Sequence, residues 1–302
     1  MFGILAALPF WAAFLAEGYV LDVATRVMIF SIAAIALDLV VGYGGLVSFG
    51  HAAFIGLGAY AVGILGAHGI TDLTLSLPLA LAVSMLFALA TGTVSLRTRG
   101  VYFIMITLAF GQMAFFTASS LAPYGGDDGL TLANRSTLLG FAVFKSNRAL
   151  YYVTFFCLIG TFAFCRAIVA SRFGRVLRGA KENPTRMATL GFEVVRFQRA
   201  AYVISGGLSG LAGFLLANAT DFVSPAYMSW QRSGELIIMV LLGGLGTLHG
   251  AIVGAASYLL VEEVLSRITE YWKMIFGPLL VLVAVFARGG LAGLIKQTFG
   301  KR

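Results

Sequence analysis

The sequence is poor in charged residues, in cysteine and in histidine. Only 11% of its 302 residues are Asp, Glu, Lys or Arg, whereas hydrophobic residues make up 59%. Because soluble domains average about a quarter charged residues, this composition excludes an ordinary soluble enzyme or binding domain. The mean hydropathy of +0.92 and the 37 glycines are instead typical of a membrane protein that crosses the bilayer several times.

The same scarcity limits the chemistry of the chain. Cys157 and Cys165 lie in one apolar run without the spacing of metal ligands, and His51, His68 and His249 are far apart. We therefore expect no metal site. The sequence also lacks the Gly-x4-Gly-Lys-Ser/Thr loop with which many ATPases hold phosphates. We expect no cofactor to bind to this chain.

Long runs without charge predict the membrane spans, since a span needs roughly 17–25 mostly apolar residues. The runs are 2–16, 27–37 (extendable past Asp38), 39–71, 73–96, 100–126, 149–165, 200–220, 236–261 and 274–287. Run 236–261 contains GGLGTLHG, which favours two helices around a turn. The prediction is an all-α polytopic membrane protein of about ten transmembrane helices in a single domain over 1–302. The N-terminus lacks a basic region before its apolar run, so we expect a retained span rather than a signal peptide.

Basic residues predict the orientation in the membrane. The segment 166–199 carries eight Arg and Lys but only two acids, and Arg97 and Arg99 form a short basic turn. We place both in the cytoplasm together with the C-terminus, so that the loop at about 119–148 lies outside. The net charge of +8 is then a topology signal and does not indicate a nucleic-acid partner.

The basic loop, about 170–199, contains the pattern of a short capped helix. Asn183 suits the N-cap, Pro184 the first helical position and Gly191 a left-handed C-terminal end, which predicts a helix over 184–190. A helix this short is marginal alone in water, so we expect it to dock on a partner. The alternative is a solvated basic loop beside lipid headgroups.

Two glycine-rich segments resemble each other across about 200 residues. GGLVSFGHAAFIGLGAY (44–60) and GGLGTLHGAIVGAASY (243–258) share a Gly-Gly-Leu start, a histidine and a closing tyrosine. Glycine-interrupted segments at matching positions indicate broken or re-entrant helices along a transport path. Both segments run in the same direction, whereas an inverted repeat would oppose them. The alternative is close helix packing, which suits Gly206, Gly210 and Gly213.

Polar residues inside predicted spans are candidates for function. They include Asp38, Thr107, Gln112, Asn218, Asp221 and Glu235, of which the last two fit the outer interface. The candidates for the translocation path are Gly44, Gly45, Ser48, Phe49, His51, Gly243, Gly244, Thr247 and His249. A hydrogen-bonded packing role is an open alternative for His51.

Three motifs together resemble the integral-membrane permeases of branched-chain amino-acid ABC importers, the LivM/LivH type. They are the segment at 42–60, the loop helix followed by AAYVISGGLSGLAGFL, and VLLGGLGTLHGAIVGA. The resemblance covers about 26–295, and the order of the motifs is more like the LivM-type subunit. It implies an inner-membrane location, a second permease subunit, two ABC ATPases that bind ATP and Mg, and an external binding protein.

The resemblance also assigns a role to the loop helix, which would couple the permease to an ATPase. The residues implied are Arg178, Lys181, Glu182, Asn183, Pro184, Met187, Ala188, Leu190 and Gly191. One departure is that FEVVRFQR follows Gly191, where the broader importer pattern continues towards Ile-x-Leu-Pro. The contact geometry can therefore differ from that of other importers.

Cargo and mechanism leave alternatives open. Permeases of this kind carry branched-chain amino acids, and also urea, short amides and aromatic acids. An ion-coupled secondary transporter is a rival that needs no ATPase. A weaker rival is an intramembrane protease with Ser209 and His249 as a dyad, which requires the two side chains to lie within hydrogen-bond reach.

Overall fold

The computed structural model describes residues 17–132, 135–137, 144, 146–269, 271–278 and 289–291, with single residues near the termini (2, 3, 5, 8, 9 and 293). The α-helices are α1 (Glu17–Asp38), α2 (His51–Ala67), α3 (Leu73–Ser95), α4 (Val101–Ser120), α5 (Asn147–Ala170), α6 (Arg172–Glu182), α7 (Pro184–Thr189), α8 (Val194–Thr220), α9 (Trp230–Gly243) and α10 (Leu248–Ile268). Residues 272–278 are also helical. The chain is thus an all-α polytopic membrane protein.

Short elements join these helices. A π-helical turn, Leu39–Tyr43, extends α1, and 3₁₀ turns cover Ala122–Tyr124 and Pro225–Met228. Two strands of two residues each, β1 (Leu130–Thr131) and β2 (Phe222–Val223), pair antiparallel with Leu130 opposite Val223.

Six helical segments among the described residues are long and apolar enough to cross a membrane: α1 with its π turn, α3, α4, α5, α8 and α10. The 17-residue α2 is apolar but shorter. The predicted runs 73–96 and 100–126 each contain one of these helices, and the runs 149–165 and 200–220 each lie within one. Most of run 2–16 and most of run 274–287 lie outside the described residues, so the expectation of about ten crossings stays a prediction.

The centre of the bundle is formed by α1 and α8. The apolar windows of these two helices are 78% and 72% buried, compared with 22% for α3 and 28% for α4. Glycine explains how neighbours approach α8 so closely. A Cβ at Gly206 would overlap Ala88 of α3, and one at Gly213 would overlap the Ile55 carbonyl of α2. The packing role suggested by the sequence for these glycines is confirmed.

The helix ends define two sides of the molecule. We call the side that holds α6, α7 and the turn at 96–100 the basic end, and the other side the opposite end. At the opposite end the loop between α4 and α5 is tied to α8 through the β1–β2 pair. The Arg135 guanidinium adds a two-pronged ion pair to the Asp221 carboxylate, at 3.0 Å from Nε to Oδ1.

The predicted basic loop at 170–199 is shorter than expected. Helix α5 ends at Ala170 and α8 begins at Val194, so Arg196 and Arg199 are helical residues of α8 rather than loop residues. The connection also contains α6, which the sequence reasoning missed. That helix forms because Gly174, Leu177 and Ala180 bury one face at helical spacing, while its arginines stay outside.

Candidate functional site

The two glycine-rich segments meet at the basic end of the bundle. The buried Asp38 carboxylate, at the end of α1, accepts a hydrogen bond of 2.8 Å from the Gly246 backbone N–H. A Cβ at Gly42 would overlap that same N–H. The backbones at Gly42 and Gly246, 204 residues apart in sequence, therefore approach so closely that no side chain fits at position 42.

The first segment interrupts the chain between α1 and α2. The π turn ends at Tyr43. It is followed by Gly44, whose added Cβ would lie 2.6 Å from the Val40 carbonyl oxygen, and by Gly45 at φ +69°. Hydrogen bonds from Gly45 N to Val41 O and from Leu46 N to Val40 O close the turn. The chain is then irregular until α2 begins at His51.

Side chains of the first segment alternate between inside and outside. Leu46, Ser48 and Gly50 are buried, whereas Gly45 is exposed and Phe49 is half-buried. Ser48 Oγ accepts a hydrogen bond from the Gly50 N–H at 3.3 Å. Of the path candidates in this segment, only Gly45 and Phe49 present surface to the outside of the chain.

His51 lies inside the bundle and its partner is a serine. Its Nε2 is 2.8 Å from Ser205 Oγ, and that hydroxyl donates to the Ala36 carbonyl at 2.5 Å. Since the hydroxyl proton is used there, Nε2 carries the proton that His51 shares with Ser205. The ring stands edge-on to Phe54 and Tyr202. His51 thus joins α2 to α1 and α8.

The second segment connects α9 to α10 in four residues. Gly244 and Gly246 have φ of +107° and +75°, and Thr247 Oγ1 donates to the Gly244 carbonyl at 2.6 Å. His249 is exposed and its ring lies 4.6 Å from that of Phe162 on α5. Like α2, α10 runs from the glycine-rich break before it toward the opposite end of the molecule. The two segments therefore run in the same direction. A re-entrant course stays a prediction.

The short helix in the basic connection is capped as the sequence predicts. Asn183 Oδ1 accepts from the Arg186 N–H at 2.9 Å, and the helix runs over Pro184–Thr189. Gly191, at φ +87°, donates to Ala188 O, and Phe192 N donates to Met187 O. This pair of bonds is the Schellman arrangement.

The apolar side chains of α7 and of the turn after it do not all face outward. Leu190 is 63% exposed and Phe192 40% exposed. Met187 instead packs on Gly179 of α6, where a Cβ would lie 2.7 Å from its sulfur. Met187 and Leu190 therefore do not share one exposed apolar stripe, because the bend after α6 turns Met187 back onto that helix.

The basic connection touches the first glycine segment through Lys181. Lys181 Nζ donates a hydrogen bond of 2.7 Å to the Gly42 carbonyl, and its stem lies against one side of Gly45. Glu182, Asn183 and Ala188 are exposed beyond it, and Arg178 bonds back to the Val169 carbonyl at the end of α5. One residue thus joins the predicted docking element to the predicted path.

The protease alternative lacks its geometry. Ser209 Oγ is buried and makes no hydrogen bond within the part of the chain that the structure describes, so no Ser209–His249 dyad is assembled. The same residues contain no group of three or more His, Cys, Asp or Glu able to hold a metal ion. The sequence reasoning missed Ser205 and Ser233, whose hydroxyls bond to His51 and to the Ala52 N–H, and Tyr202, whose ring packs against His51. Nothing in their local sequence marks them.

Comparison with known proteins gives one family. The model of the branched-chain amino acid transport system / permease component family matches residues 19–284. The LivM permease protein of the high-affinity branched-chain amino acid transport system of Salmonella typhimurium is 27% identical, over 93% of this chain and 71% of its own length.

Two further relatives widen the comparison. The probable branched-chain amino acid transport permease protein LivH of Methanocaldococcus jannaschii is 31% identical over 46% of this chain and 42% of its own length. The autoinducer 2 import system permease protein LsrC of an Enterobacter species is 28% identical over 96% of this chain and 84% of its own length. No solved structure gives a significant match.

Proposed function

The chain belongs to the family of branched-chain amino acid transport system permease components, and on that premise we propose that it forms half of the translocation path of an ATP-driven importer. The observation that carries the proposal is the bond between Lys181 and Gly42. It connects the end of α6, two residues before the Asn183 cap of the exposed helix α7, with a break in the transmembrane helices.

The proposed orientation places the basic end in the cytoplasm of a bacterial inner membrane. The basic residues of α6, α7 and the turn at 96–100 gather there, as the positive-inside rule requires. Ten crossings in one transmembrane domain result when the runs 2–16 and 274–287 are added to α1, α2, α3, α4, α5, α8, α9 and α10. The C-terminus is then cytoplasmic.

The proposed partners follow from the same premise. Two ABC ATPases bind ATP and Mg, and α7 docks in a cleft of one of them with Leu190 and Phe192 exposed toward it. A short helix seated in a groove is a common mode of recognition. A second permease subunit faces Gly45 and Phe49 to complete the path, and an external binding protein delivers the cargo.

The proposed cargo is a branched-chain or related hydrophobic amino acid, as the names of the LivM and LivH relatives suggest. Urea, short amides and aromatic acids are the alternatives, and the LsrC relative, an autoinducer 2 permease by name, extends the range. None of the described path candidates takes part in an ion pair that would select a charged solute. This suits a path that leaves the selection of the cargo to the binding protein.

A matched pair of glycines tests the ATPase coupling. Gly191 and Gly69 both follow a helix in a Schellman arrangement, at φ +87° and +75°, and both have open space around them. A β-branched residue in this conformation costs about 1–2 kcal/mol at either site. Only Gly191 lies beside the docking helix, whereas Gly69 lies at the opposite end.

The experiment compares Gly191→Val with Gly69→Val in proteoliposomes that contain the complete transporter. We expect Gly191→Val to abolish most ATP-dependent leucine uptake and Gly69→Val to retain it. Both variants should assemble into the complete transporter in equal amounts. Uptake by the chain alone, driven by an ion gradient, would instead establish the secondary transporter.

A further inference from the structure

A groove of about 360 Å³ lies between α3 and α8 near the basic end, on the outside of the bundle. Its lining is Leu89, Arg196, Arg199, Ala200, Val203 and Ile204. Most of this lining is aliphatic, and Leu89 is 42% exposed. The two guanidiniums are the polar part of the groove and belong to successive turns of α8.

Arg199 is the unusual member of this lining. Its Nε is buried and has no hydrogen-bond partner within the described ranges. The covered Nε is out of reach of an acceptor from outside the chain. The side chain is partly exposed, however, and its Nη N–H groups make no hydrogen bond among the described residues, so they can donate to an outside acceptor. Arg196 is exposed and pairs with the Glu193 carboxylate one turn earlier, which leaves further guanidinium donors available.

The groove lies at the level where the headgroups of a bilayer meet its hydrocarbon core. Helix α8 has 27 residues and is therefore about 40 Å long, against a hydrocarbon core of about 30 Å. About 5 Å of helix extends beyond the core at each end when the helix is centred. Arg196 and Arg199 then lie where phosphates and acyl chains meet, while Val203 and Ile204 lie deeper.

We propose that this groove binds one anionic phospholipid. The phosphate accepts hydrogen bonds from Arg199 and Arg196, and an acyl chain lies along Leu89, Ala200 and Val203. Basic pockets between transmembrane helices bind anionic headgroups through this combination of charge and apolar surface. The proposal depends on the chain spanning a bilayer, and it does not depend on the cargo or on the ATPases.

Native mass spectrometry of the full chain, purified in detergent with the subunits that remain bound, tests the site. The probes are phosphatidylglycerol and phosphatidylcholine with the same acyl chains. We expect the first phosphatidylglycerol molecule to bind at least about fivefold more tightly than the first phosphatidylcholine molecule. One or two guanidiniums near the headgroup supply a difference in affinity of this size. Arg199→Gln abolishes the preference, whereas Arg175→Gln, on the exposed face of α6, retains it.

A second variant tests the apolar wall if Arg199→Gln fails to fold. Ala200→Phe fills the groove while both guanidiniums remain, and we expect it to weaken binding of phosphatidylglycerol several-fold. Equal binding of the two lipids, or equal loss in Arg175→Gln, would overturn the proposal. Competition by millimolar sn-glycerol 3-phosphate would also overturn it, because a free phosphate ester would then suffice. Transport enters none of these measurements, so the proposed function is tested separately.

Discussion

Lys181 Nζ and the Gly42 carbonyl oxygen lie 2.7 Å apart, although 139 residues separate them in sequence. The carbonyl belongs to the π turn, where the regular α-helical bonding of α1 has ended. Lysine is therefore the group that satisfies this carbonyl. A displacement of Lys181 would therefore reach the first glycine segment directly.

The first prediction concerns this bond. Lys181→Met keeps the stem that lies against one side of Gly45 but removes the donor, so we expect docking of the ATPases to persist while uptake per ATP hydrolysed falls several-fold. Lys181→Arg should recover part of the coupling. The measurement is leucine uptake and phosphate release in the same proteoliposomes. Unchanged coupling in Lys181→Met would show that the bond is only structural.

The second prediction compares two phenylalanines of the first glycine-rich segment that differ in burial. Phe49 is half-buried and Phe54 is buried. Phe54→Ala should lower stability by about 3–5 kcal/mol, as for other core phenylalanines. Phe49→Ala should leave the melting temperature nearly unchanged and alter the KM or rate of uptake. If both variants lost only stability, Phe49 would be a packing residue.

His51 allows a third prediction, which separates packing from cargo binding. His51→Gln can still donate to Ser205, whereas His51→Leu leaves that hydroxyl oxygen unpaired. We expect His51→Leu to lose about 1–3 kcal/mol of stability and His51→Gln to lose less. The KM for uptake should be unaffected in His51→Gln. A raised KM with unaltered melting would instead identify His51 as a cargo ligand.

The fourth prediction tests the close approach of α2 and α8. A Cβ at Gly213 would overlap the Ile55 carbonyl, whereas one at Gly160 on α5 meets nothing within 4 Å. Gly213→Ala should therefore lower the melting temperature in detergent. Gly160→Ala, also inside a helix, should keep or raise it because alanine favours helix by about 1 kcal/mol. Equal effects would mean that α2 and α8 can separate without cost.

Patterns local in sequence predicted their structures well. The cap at Asn183, the closing glycine at Gly191 and the turn within 243–250 depend on residues within a few positions, and each is present. The apolar runs predicted the main helices for the same reason, since hydropathy over about 20 residues decides insertion.

Contacts between distant segments could not be predicted in this way. The partner of His51 is Ser205, and the partner of Asp38 is a backbone N–H at Gly246; neither partner carries a local signal. The amphipathic α6 was missed because glycine and arginine obscure its four buried residues. Exposure of the path candidates alternates along the chain after Gly45. The sequence could not predict this alternation, because helical periodicity is interrupted there.

The bond between Asp38 and Gly246 has a consequence for biosynthesis. At about 5–20 residues per second, a ribosome needs roughly 10–40 s to add the 208 residues that separate them. Throughout that interval the nascent chain holds a carboxylate in the membrane without its final backbone partner. A product truncated before Gly246 never acquires this partner, and we expect it to be less stable than the complete chain.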